Sequence, residues 1–398
     1  MIGLGLVLFT LVGVVVLACA AYLFALSVVA VLPAAERKES VSWPRFDIVV
    51  PAHDEEVGIA ATIGSLRALD YPADRYRILV IADNCADATA RVAADAGALV
   101  IERQDASRRG KGYALALAFA QVERDDLADA VVVIDADSLV SPDFLRAFAR
   151  RYAAGESALQ AAYSVRSPNS SWRSRLMVIA LALFHGVRSL GRERLGLSAG
   201  LRGNGMGFSR EVLRRVPAQA FSIVEDVEYG ITLAKAGYRV GYVHEAQVMG
   251  DMAPPGPAAA SQRLRWERGR AALARAEGPG LLLEGLARRD PMRIDLAMDL
   301  LVPPLSALSL TAALGAVAAT TWHLVYGGSA AVVAPWLLAC GCLTVYVLRG
   351  VALSGVGLVG SLALLWAPVY IVWKIGLRLR AKGPRAGEWI RTVRGGRP

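Results

Sequence analysis

The chain has 398 residues with 44 Lys+Arg against 35 Asp+Glu, so its formal net charge is +9. Its hydrophobic fraction is 55% without glycine, above the roughly 45–50% of soluble domains with glycine included, which excludes an intrinsically disordered chain. Four cysteines in 398 residues also exclude a small scaffold held together by disulfides.

The first predicted element is apolar. Residues 2–32 form an unbroken apolar run, longer than the ~20 residues needed to span hydrocarbon, and no charged side chain precedes Glu36. A cleaved signal peptide, the alternative, normally has a positive first region and a shorter apolar stretch. We therefore predict a retained transmembrane helix in residues 1–35.

The middle of the chain alternates strand and helix patterns. Strands are predicted at 45–51, 77–81, 98–102 and 130–134, with helices at 57–69, 86–96 and 111–122. Short β-branched runs separated by helical segments indicate a parallel sheet covered by helices. Ligands of such sheets bind at the carboxyl ends of the strands, so the polar residues there are candidates for function.

Two carboxylates, Asp135 and Asp137, follow the strand at 130–134. Oxygen ligands at a strand end suit Mg²⁺ or Mn²⁺, which bridge phosphates. Lys111 stands before a helix and is a candidate cation for the same phosphates. This pattern predicts a divalent metal site for a phosphate-bearing ligand.

Three further motifs follow along the chain. A glycine-rich turn at 203–207 allows a ligand to approach the backbone. Glu225 and Asp226 then open a helical segment, and such a pair suits an acceptor hydroxyl because one carboxylate removes its proton while the other orients it. The basic segment 261–266 offers Arg for a diphosphate and Trp for a sugar ring, or is a solvated helix beside the membrane.

The order of these motifs resembles that of the membrane-bound family 2 glycosyltransferases, which include cellulose, chitin and hyaluronan synthases and ceramide-glucosyltransferase-like enzymes. The matching segments are PAHDEE (51–56), ADNCADAT (82–89), GKG (110–112), DAD (135–137), GNG (203–205), VED (224–226) and QRLRW (262–266). The resemblance covers about residues 45–270. It implies an α/β, Rossmann-like GT-A domain in the cytosol, placed at 36–292 and flanked by transmembrane helices.

The resemblance also implies a role for each matching position. Asp226 is expected to be the general base, and Asp137 with Asp135 to hold the divalent metal, Mg²⁺ or Mn²⁺. The expected donor and nucleotide contacts are Pro51, Ala52, His53, Glu55, Asp83, Lys111, Asp135 and Arg265. The expected acceptor and diphosphate contacts are Asn204, Glu225, Gln262, Arg263 and Trp266. His53 departs from the more usual Tyr or Phe, and Cys85 stands where Ser is frequent.

The last third of the chain is apolar and then basic. Apolar runs at 296–325, 330–348 and 351–373 predict transmembrane or interfacial helices over 293–373. Residues 374–398 carry eight basic side chains and one acid, which accounts for seven of the nine net charges. By the positive-inside rule this tail and Arg37-Lys38 are cytoplasmic, which requires an odd number of crossings and places part of 351–380 in the interface. We interpret the basic charge as a membrane anchor and expect no nucleic-acid partner.

These observations predict a multi-pass enzyme of the cell membrane with its catalytic domain in the cytoplasm. We expect an inverting transfer of a sugar from a nucleotide-diphosphate sugar, with UDP as the nucleotide, to a hydroxyl of a lipid-linked or short-glycan acceptor. The alternative within this class is a processive polysaccharide synthase. A non-catalytic membrane scaffold would not need the acidic residues, and a nucleotide-sugar pyrophosphorylase would carry a basic glycine-rich N-terminal signature instead.

Overall fold

The computed structural model describes residues 2–33, 43–166, 171–250, 257–327 and 329–380, so Arg37, Lys38 and the tail beyond 380 lie outside the described residues. The helices are α1 (Ile2–Val29), α2 (Ile59–Arg67), α3 (Thr89–Asp95), α4 (Lys111–Asp125), α5 (Phe144–Ala153), α6 (Trp172–Leu181), α7 (Arg188–Arg194), α8 (Arg210–Arg215), α9 (Glu225–Lys235), α10 (Pro257–Arg288), α11 (Pro291–Leu301), α12 (Leu305–Tyr326), α13 (Ala330–Ser354), α14 (Gly357–Ser361) and α15 (Ala367–Arg380). The strands are β1 (Phe46–Ala52), β2 (Tyr76–Asp83), β3 (Leu99–Arg103), β4 (Ala130–Val133), β5 (Ser138–Val140), β6 (Ala158–Val165), β7 (Met206–Ser209) and β8 (Val240–Gly250).

One sheet of eight strands in the order β3-β2-β1-β4-β7-β6-β8-β5 organises the domain. The four strands predicted from the sequence, β1 to β4, are present and parallel. Side chains of β1 alternate between two cores: Ile48 and Val50 pack with α2 and α5, whereas Val49 packs with α4. Helices therefore cover both faces, which explains why β1 and β4 are continuous apolar runs.

The other half of the sheet, β5 to β8, does not appear in the sequence-based prediction. It contains short strands, such as the four residues of β7, and β7 runs antiparallel to β4 with Met206 opposite Val133. Because β7 runs the other way, its first residue lies at the same edge as the last residue of β4. The turn at 203–205 is thereby brought to the end of β4, next to Asp135.

Within the described residues, four helices are long and apolar enough to cross a membrane: Leu4–Val29, Trp172–Arg194, Leu305–Tyr326 and Ala330–Ser354. The sequence-based prediction did not include Trp172–Arg194. Over half of its most apolar window is buried inside the protein, and its central segment, Ala182–Val187, is a π-helix. We call Trp172–Arg194 the junction helix, because it contacts β6 and β8 of the sheet as well as α1 and α13.

The predicted apolar run at 296–325 is two helices rather than one. Its first part belongs to α11, which ends at Leu301 and carries the buried carboxylates of Asp295 and Asp299. Two prolines follow Val302, and α12 begins at Leu305. Hence α11 packs against α9 and α10 in the domain, and the long apolar helix begins about ten residues later than predicted.

The apolar helices pack through small residues. A Cβ atom on Gly13 of α1 would lie 2.9 Å from the Trp336 ring of α13, and one on Gly315 of α12 would lie 2.0 Å from it. Glycine at both positions lets α1 and α12 close around this buried indole, as is typical of helix packing in membranes. The shorter apolar segment Gly357–Trp373 follows α13 and leaves Leu358 and Leu365 largely exposed.

Candidate active site

The loops after β1 and β2 are bound to each other at the carboxyl edge of the sheet. His53 Nδ1 lies 2.6 Å from the carbonyl oxygen of Asp83, and the Glu55 amide donates to Thr89 Oγ1 at 2.7 Å. Cys85 Sγ donates to the carbonyl of Ala52 at 3.6 Å. The structure therefore brings together the predicted nucleotide contacts at 51–55 and Asp83.

Asp83 is itself buried, and its carboxylate accepts from Arg103 Nη1 at 2.6 Å and from Asn84 Nδ2 at 2.9 Å. Two non-glycine residues in these loops, Asp54 and Asn84, have a positive φ of 53°. Such left-handed conformations are uncommon except for Asn and Asp, so the residue types fit the loop geometry.

A group of three potential metal ligands, Asp54, Cys85 and Asp87, also occurs in these loops, with ligand atoms within 4.8 Å of one another. Its carboxylates already accept hydrogen bonds from the protein. The Ala86 amide donates to Asp54 at 2.7 Å, and the Thr89 amide donates to Asp87 at 2.9 Å. We interpret the group as a tie between the two loops rather than as a metal site.

Asp135 and Asp137 lie just beyond β4, and a buried asparagine fixes their backbone. Asn204 Oδ1 accepts from the Asp135 amide at 3.1 Å, and its Nδ2 donates to Ser138 Oγ at 2.8 Å. Ser138 Oγ in turn donates to Asp137 Oδ1 at 3.3 Å. The role of Asn204 as an acceptor contact stays a prediction; in the structure both polar atoms of its buried side chain bind within the protein, where they hold the Asp135 amide and the Ser138 hydroxyl.

The donor set at this strand end fits a divalent metal. Asp135 and Asp137 are both half-buried and supply hard carboxylate oxygens. Mg²⁺ and similar ions are usually held by one or two carboxylates together with phosphates of the substrate, so the two side chains suffice without a closed protein cage. The residues present therefore suit Mg²⁺ or Mn²⁺ bound together with a diphosphate.

Lys111, the first residue of α4, joins the two halves of the cleft. Its Nζ donates to Asp135 Oδ1 and to the carbonyl oxygen of Gly203. Burial lowers the pKa of Lys111, but the carboxylates of Asp135, Glu225 and Asp226 outweigh burial, and the net direction is upward. Lys111 is therefore a fixed cation between the predicted metal ligands and the predicted base.

Asp226 stands in the first turn of α9 and borders the turn at 203–205. Gly203 has φ of +83°, and a Cβ atom there would lie 3.3 Å from Asp226 Oδ2. Burial raises the pKa of Asp226 and that of Glu225, and the neighbouring Asp226 carboxylate raises the pKa of Glu225 further. A carboxylate with a raised pKa is a stronger base, which is the property that proton abstraction needs.

Helix α10 carries the QRLRW segment, but the side chains of Gln262, Arg263 and Arg265 lie outside the described residues. Trp266 is 53% exposed. A Cβ atom on Gly269 would lie 3.1 Å from Val224 Cγ1. Helix α10 thus passes, at Gly269, directly beside the residue that precedes Glu225 and Asp226.

The sequence-based prediction missed Arg202, Arg270 and Asp299. These residues form ion pairs behind the turn at 203–205, with Asp299 accepting from Arg270 at 3.2 Å. Asp299 lies within a run assigned to the membrane, and Arg270 lies beyond the recognised motif. An acidic residue inside an otherwise apolar run was the only sequence signal for this cluster among the described residues.

Comparisons with known proteins identify the family of the chain. Residues 44–269 match glycosyltransferase-like family 2, and the chain belongs to this family. A β-monoglucosyldiacylglycerol synthase of Synechocystis is 27% identical over 58% of this chain and 48% of its own length. A cellulose synthase catalytic subunit of Pseudomonas fluorescens is 26% identical over 63% of this chain and 34% of its own length. The chain therefore spans about half or less of the length of these curated relatives.

The fold is GT-A, a Rossmann-like mixed α/β domain, as predicted. A mannosyltransferase of Pyrobaculum calidifontis, solved in complex with GDP-Man and Mn²⁺, superposes with a TM-score of 0.55 at 17% identity. The match covers 87% of this chain and 98% of that chain. The similarity thus extends beyond the sheet into the apolar helices.

Proposed function

We propose that the protein is an inverting glycosyltransferase that moves a sugar from a nucleotide-diphosphate sugar to an acceptor hydroxyl. The observation that carries this proposal is the contact series through Lys111. Its Nζ binds Asp135 on one side and the Gly203 carbonyl on the other, and Gly203 borders the Asp226 carboxylate. One cleft therefore holds both a diphosphate-metal site and a base.

The reaction is a single displacement. The acceptor oxygen bonds to the anomeric carbon while the bond from that carbon to the diphosphate oxygen breaks, and Asp226 takes the acceptor proton. Lys111 lies where negative charge grows on the departing nucleoside diphosphate and stabilises it there. This mechanism needs no covalent intermediate.

A divalent ion held by Asp137 and Asp135 would supply positive charge to the diphosphate of the donor. Asn204 keeps the backbone of this pair in place, and Lys111 holds Asp135. The loops at 51–55 and at Asp83 are then expected to hold the base and ribose, with Arg265 and Gln262 over the diphosphate. Glu225, Arg263 and Trp266 are expected on the acceptor side.

The test of the base is Asp226→Asn. The amide keeps the size of the carboxylate but does not accept a proton, so turnover should fall about 10²–10⁴-fold while nucleotide binding persists. Asp95→Asn is the control, because Asp95 is exposed on α3 and pairs with Arg91 one turn away on the same helix. Transfer by Asp226→Asn at the wild-type rate would remove Asp226 from the role of base.

We further propose that the protein associates with the membrane through three crossings, at Leu4–Val29, Leu305–Tyr326 and Ala330–Ser354. The junction helix and Gly357–Trp373 then lie along the cytoplasmic surface, and the odd number of crossings fits a cytoplasmic domain and tail. In a background without native cysteines, a membrane-impermeant maleimide should label Gly327→Cys on intact cells. Val57→Cys, at a position 91% exposed in the domain, should be labelled only after permeabilisation.

The acceptor is proposed to be lipid-linked or a short glycan, and a β-monoglucosyldiacylglycerol synthase among the relatives supports this proposal. The second candidate, a processive synthase, is supported by the cellulose synthase subunits among the relatives. A screen of nucleotide sugars with Mg²⁺ or Mn²⁺ identifies the donor, for which we propose a UDP-sugar. Long, enzyme-digestible chains made from the labelled donor would favour the processive synthase instead.

A further inference from the structure

Asp299 of α11 is a buried carboxylate that four guanidinium groups approach. Its Oδ1 lies 2.9 Å from Arg188 Nη1 and 3.0 Å from Arg192 Nη2. Its Oδ2 lies 3.2 Å from Arg270 Nη2 and 3.5 Å from Arg202 Nη1. One carboxylate therefore joins the junction helix, α10 and the residue that precedes the turn at 203–205.

The Phe184 ring is a second shared contact of the same arginines. The guanidinium carbon of Arg202 lies 4.3 Å from the ring centroid, and those of Arg270 and Arg188 each lie 5.0 Å from it. Phe184 belongs to the π-helical segment Ala182–Val187. Short π-helical segments are frequent at functional sites, and this one places an aromatic face against three cations.

Arg202 connects this cluster to the catalytic cleft through the backbone. Its amide donates to Gln160 Oε1 at 2.8 Å, and Gln160 Nε2 donates to the Asn204 carbonyl at 2.7 Å. The residue between them, Gly203, accepts from Lys111 and borders Asp226. A shift of Arg202 would thus move the backbone that borders the base.

Arg202 depends on Asp299 for its place. Its side chain is 4% exposed. Burial lowers the pKa of Arg202 to about 10, Asp299 opposes this shift, and the other three guanidiniums add to it. Without Asp299, the four arginines would face one another, while Asp295 would still pair with Arg192. Like charges without a counter-charge in a buried site are strongly unfavourable, so Arg202 would move away.

Helix α11 also packs on the helix that begins with the base. Leu296 and Leu300 of α11 form an apolar cluster with Ile231 and Ala234 of α9. Asp299 is therefore held rigidly relative to α9 and, through Arg202, relative to the turn at 203–205. Helix α9 and the turn at 203–205, which border the cleft on the acceptor side, are therefore both held in place by contacts with α11.

We propose that Asp299 is a positioning residue for the transfer reaction: by holding Arg202, it sets the distance between the turn at 203–205 and Asp226. This inference rests on the proposed function, because the positioned group is the base. Under this proposal, catalysis requires that the junction helix, α10 and α11 keep their relative positions. Donor binding does not require this, because the donor loops follow β1, β2 and β4.

The experiment compares Asp299→Asn with the matched variant Asp47→Asn. Both carboxylates are buried and bound by arginine, but Asp47 is near the start of β1, at the opposite end of the strand from the cleft, and accepts from Arg77 at 2.6 and 2.8 Å. The substrate is the nucleotide sugar that gives the highest wild-type turnover, and binding of its nucleoside diphosphate is measured with Mn²⁺. Asp299→Asn should lower kcat about 10–10²-fold with the Kd of the nucleotide changed less than about twofold. Asp47→Asn should leave kcat per folded molecule unchanged.

Arg202→Lys is the second variant and covers the case in which Asp299→Asn does not fold. It keeps the charge but loses the fork that reaches both Asp299 and Phe184, so kcat should fall while nucleotide binding persists. In the double variant the two losses should not add, because both remove one interaction. The proposal is overturned if both single variants keep wild-type kcat, or if turnover and nucleotide binding fall in parallel. If Asp226→Asn also kept full turnover, the proposed function itself would fail; loss of turnover in that variant alone would reject only the role of Asp299.

Discussion

Two groups of charged side chains lie on either side of the consecutive residues Arg202 and Gly203. One group has a negative net charge and the other a positive net charge. The cleft group has four carboxylates and one ammonium, namely Asp135, Asp137, Glu225, Asp226 and Lys111. The junction group has four guanidiniums and two carboxylates, namely Arg188, Arg192, Arg202, Arg270, Asp295 and Asp299. Lys111 of the cleft group donates to the carbonyl oxygen of Gly203, and Gly203 directly follows Arg202 of the junction group.

The groups also differ in their access to solvent. The side chains of Lys111 and Asp135 are 24% and 37% exposed, whereas those of Arg192 and Asp299 are 0% and 7% exposed. An accessible excess of negative charge attracts a cation and exchanges it. Buried charges that bind one another fix geometry instead. This difference supports the proposals that the cleft binds the donor and its metal and that the junction group positions the base.

The largest expected effect comes from removing a metal ligand of the cleft. Asp137→Ala leaves Asp135 alone to hold the ion, so metal-dependent donor binding should be lost and turnover should fall at least about 10³-fold. Titration of the nucleotide sugar with and without Mn²⁺ measures this loss. The exposed Asp143→Ala is the control, and Mn²⁺-dependent binding that survives in Asp137→Ala would remove this residue from the metal site.

The next effect tests the cation between the metal ligands and the base. Lys111→Met removes the donor that binds both Asp135 and the Gly203 carbonyl. A charge-assisted hydrogen bond contributes about 1.5–3 kcal/mol, so kcat should fall roughly 10–10²-fold. Lys235→Met is the control, since Lys235 pairs with Glu277 at the surface of α9. Equal kcat in the two variants would show that Lys111 has no role in the transition state.

The sequence predicts the cleft better than the junction, for physical reasons. Residues at the ends of parallel strands share one edge, so Ala52, Asp83 and Asp135 could be placed together once four strands were assigned. The turn at 203–205 lies beside these residues because β7 pairs with β4. Strand β7 has four residues and an internal glycine, so its sequence shows no strand periodicity. Its proximity to Asp135 is a consequence of antiparallel pairing that the local pattern does not encode.

The junction helix was missed for a different reason. Its apolar pattern is interrupted by Arg173, Arg175, Arg188 and Arg192, and over half of its most apolar window is buried inside the protein. Asp299 was hidden in the same way inside a predicted apolar run. The charged residues of a buried ion pair lower the hydropathy of both segments that carry them. Which residues pair depends on tertiary contacts, so the local sequence does not reveal it.

A smaller effect tests the backbone of the metal ligands. Asn204→Ala removes the acceptor of the Asp135 amide and the donor to Ser138 Oγ, so the Asp135 amide loses its partner at the edge of the cleft. The free energy of unfolding should fall by about 1–3 kcal/mol, with a weaker apparent affinity for Mn²⁺. Thermal unfolding and Mn²⁺ titration measure the two changes. Unchanged Mn²⁺ affinity with lowered stability would restrict Asn204 to a structural role.

The smallest expected effect connects the two charged groups through pH. Lys111 and Arg202 both lower the pKa of Asp226 against the larger effect of burial, and the adjacent Glu225 carboxylate titrates with it. Arg202→Gln removes one of these cations, so the pKa of Asp226 rises further. Because Asp226 acts as the carboxylate, the acidic limb of the kcat/KM profile should move to higher pH, by about one unit or less at the solvent screening expected of a cleft. Arg202→Lys retains the charge and should keep the wild-type limb despite its lower kcat. A limb that moves equally in both variants would mean that geometry alone, and not the charge of the junction group, acts on the base.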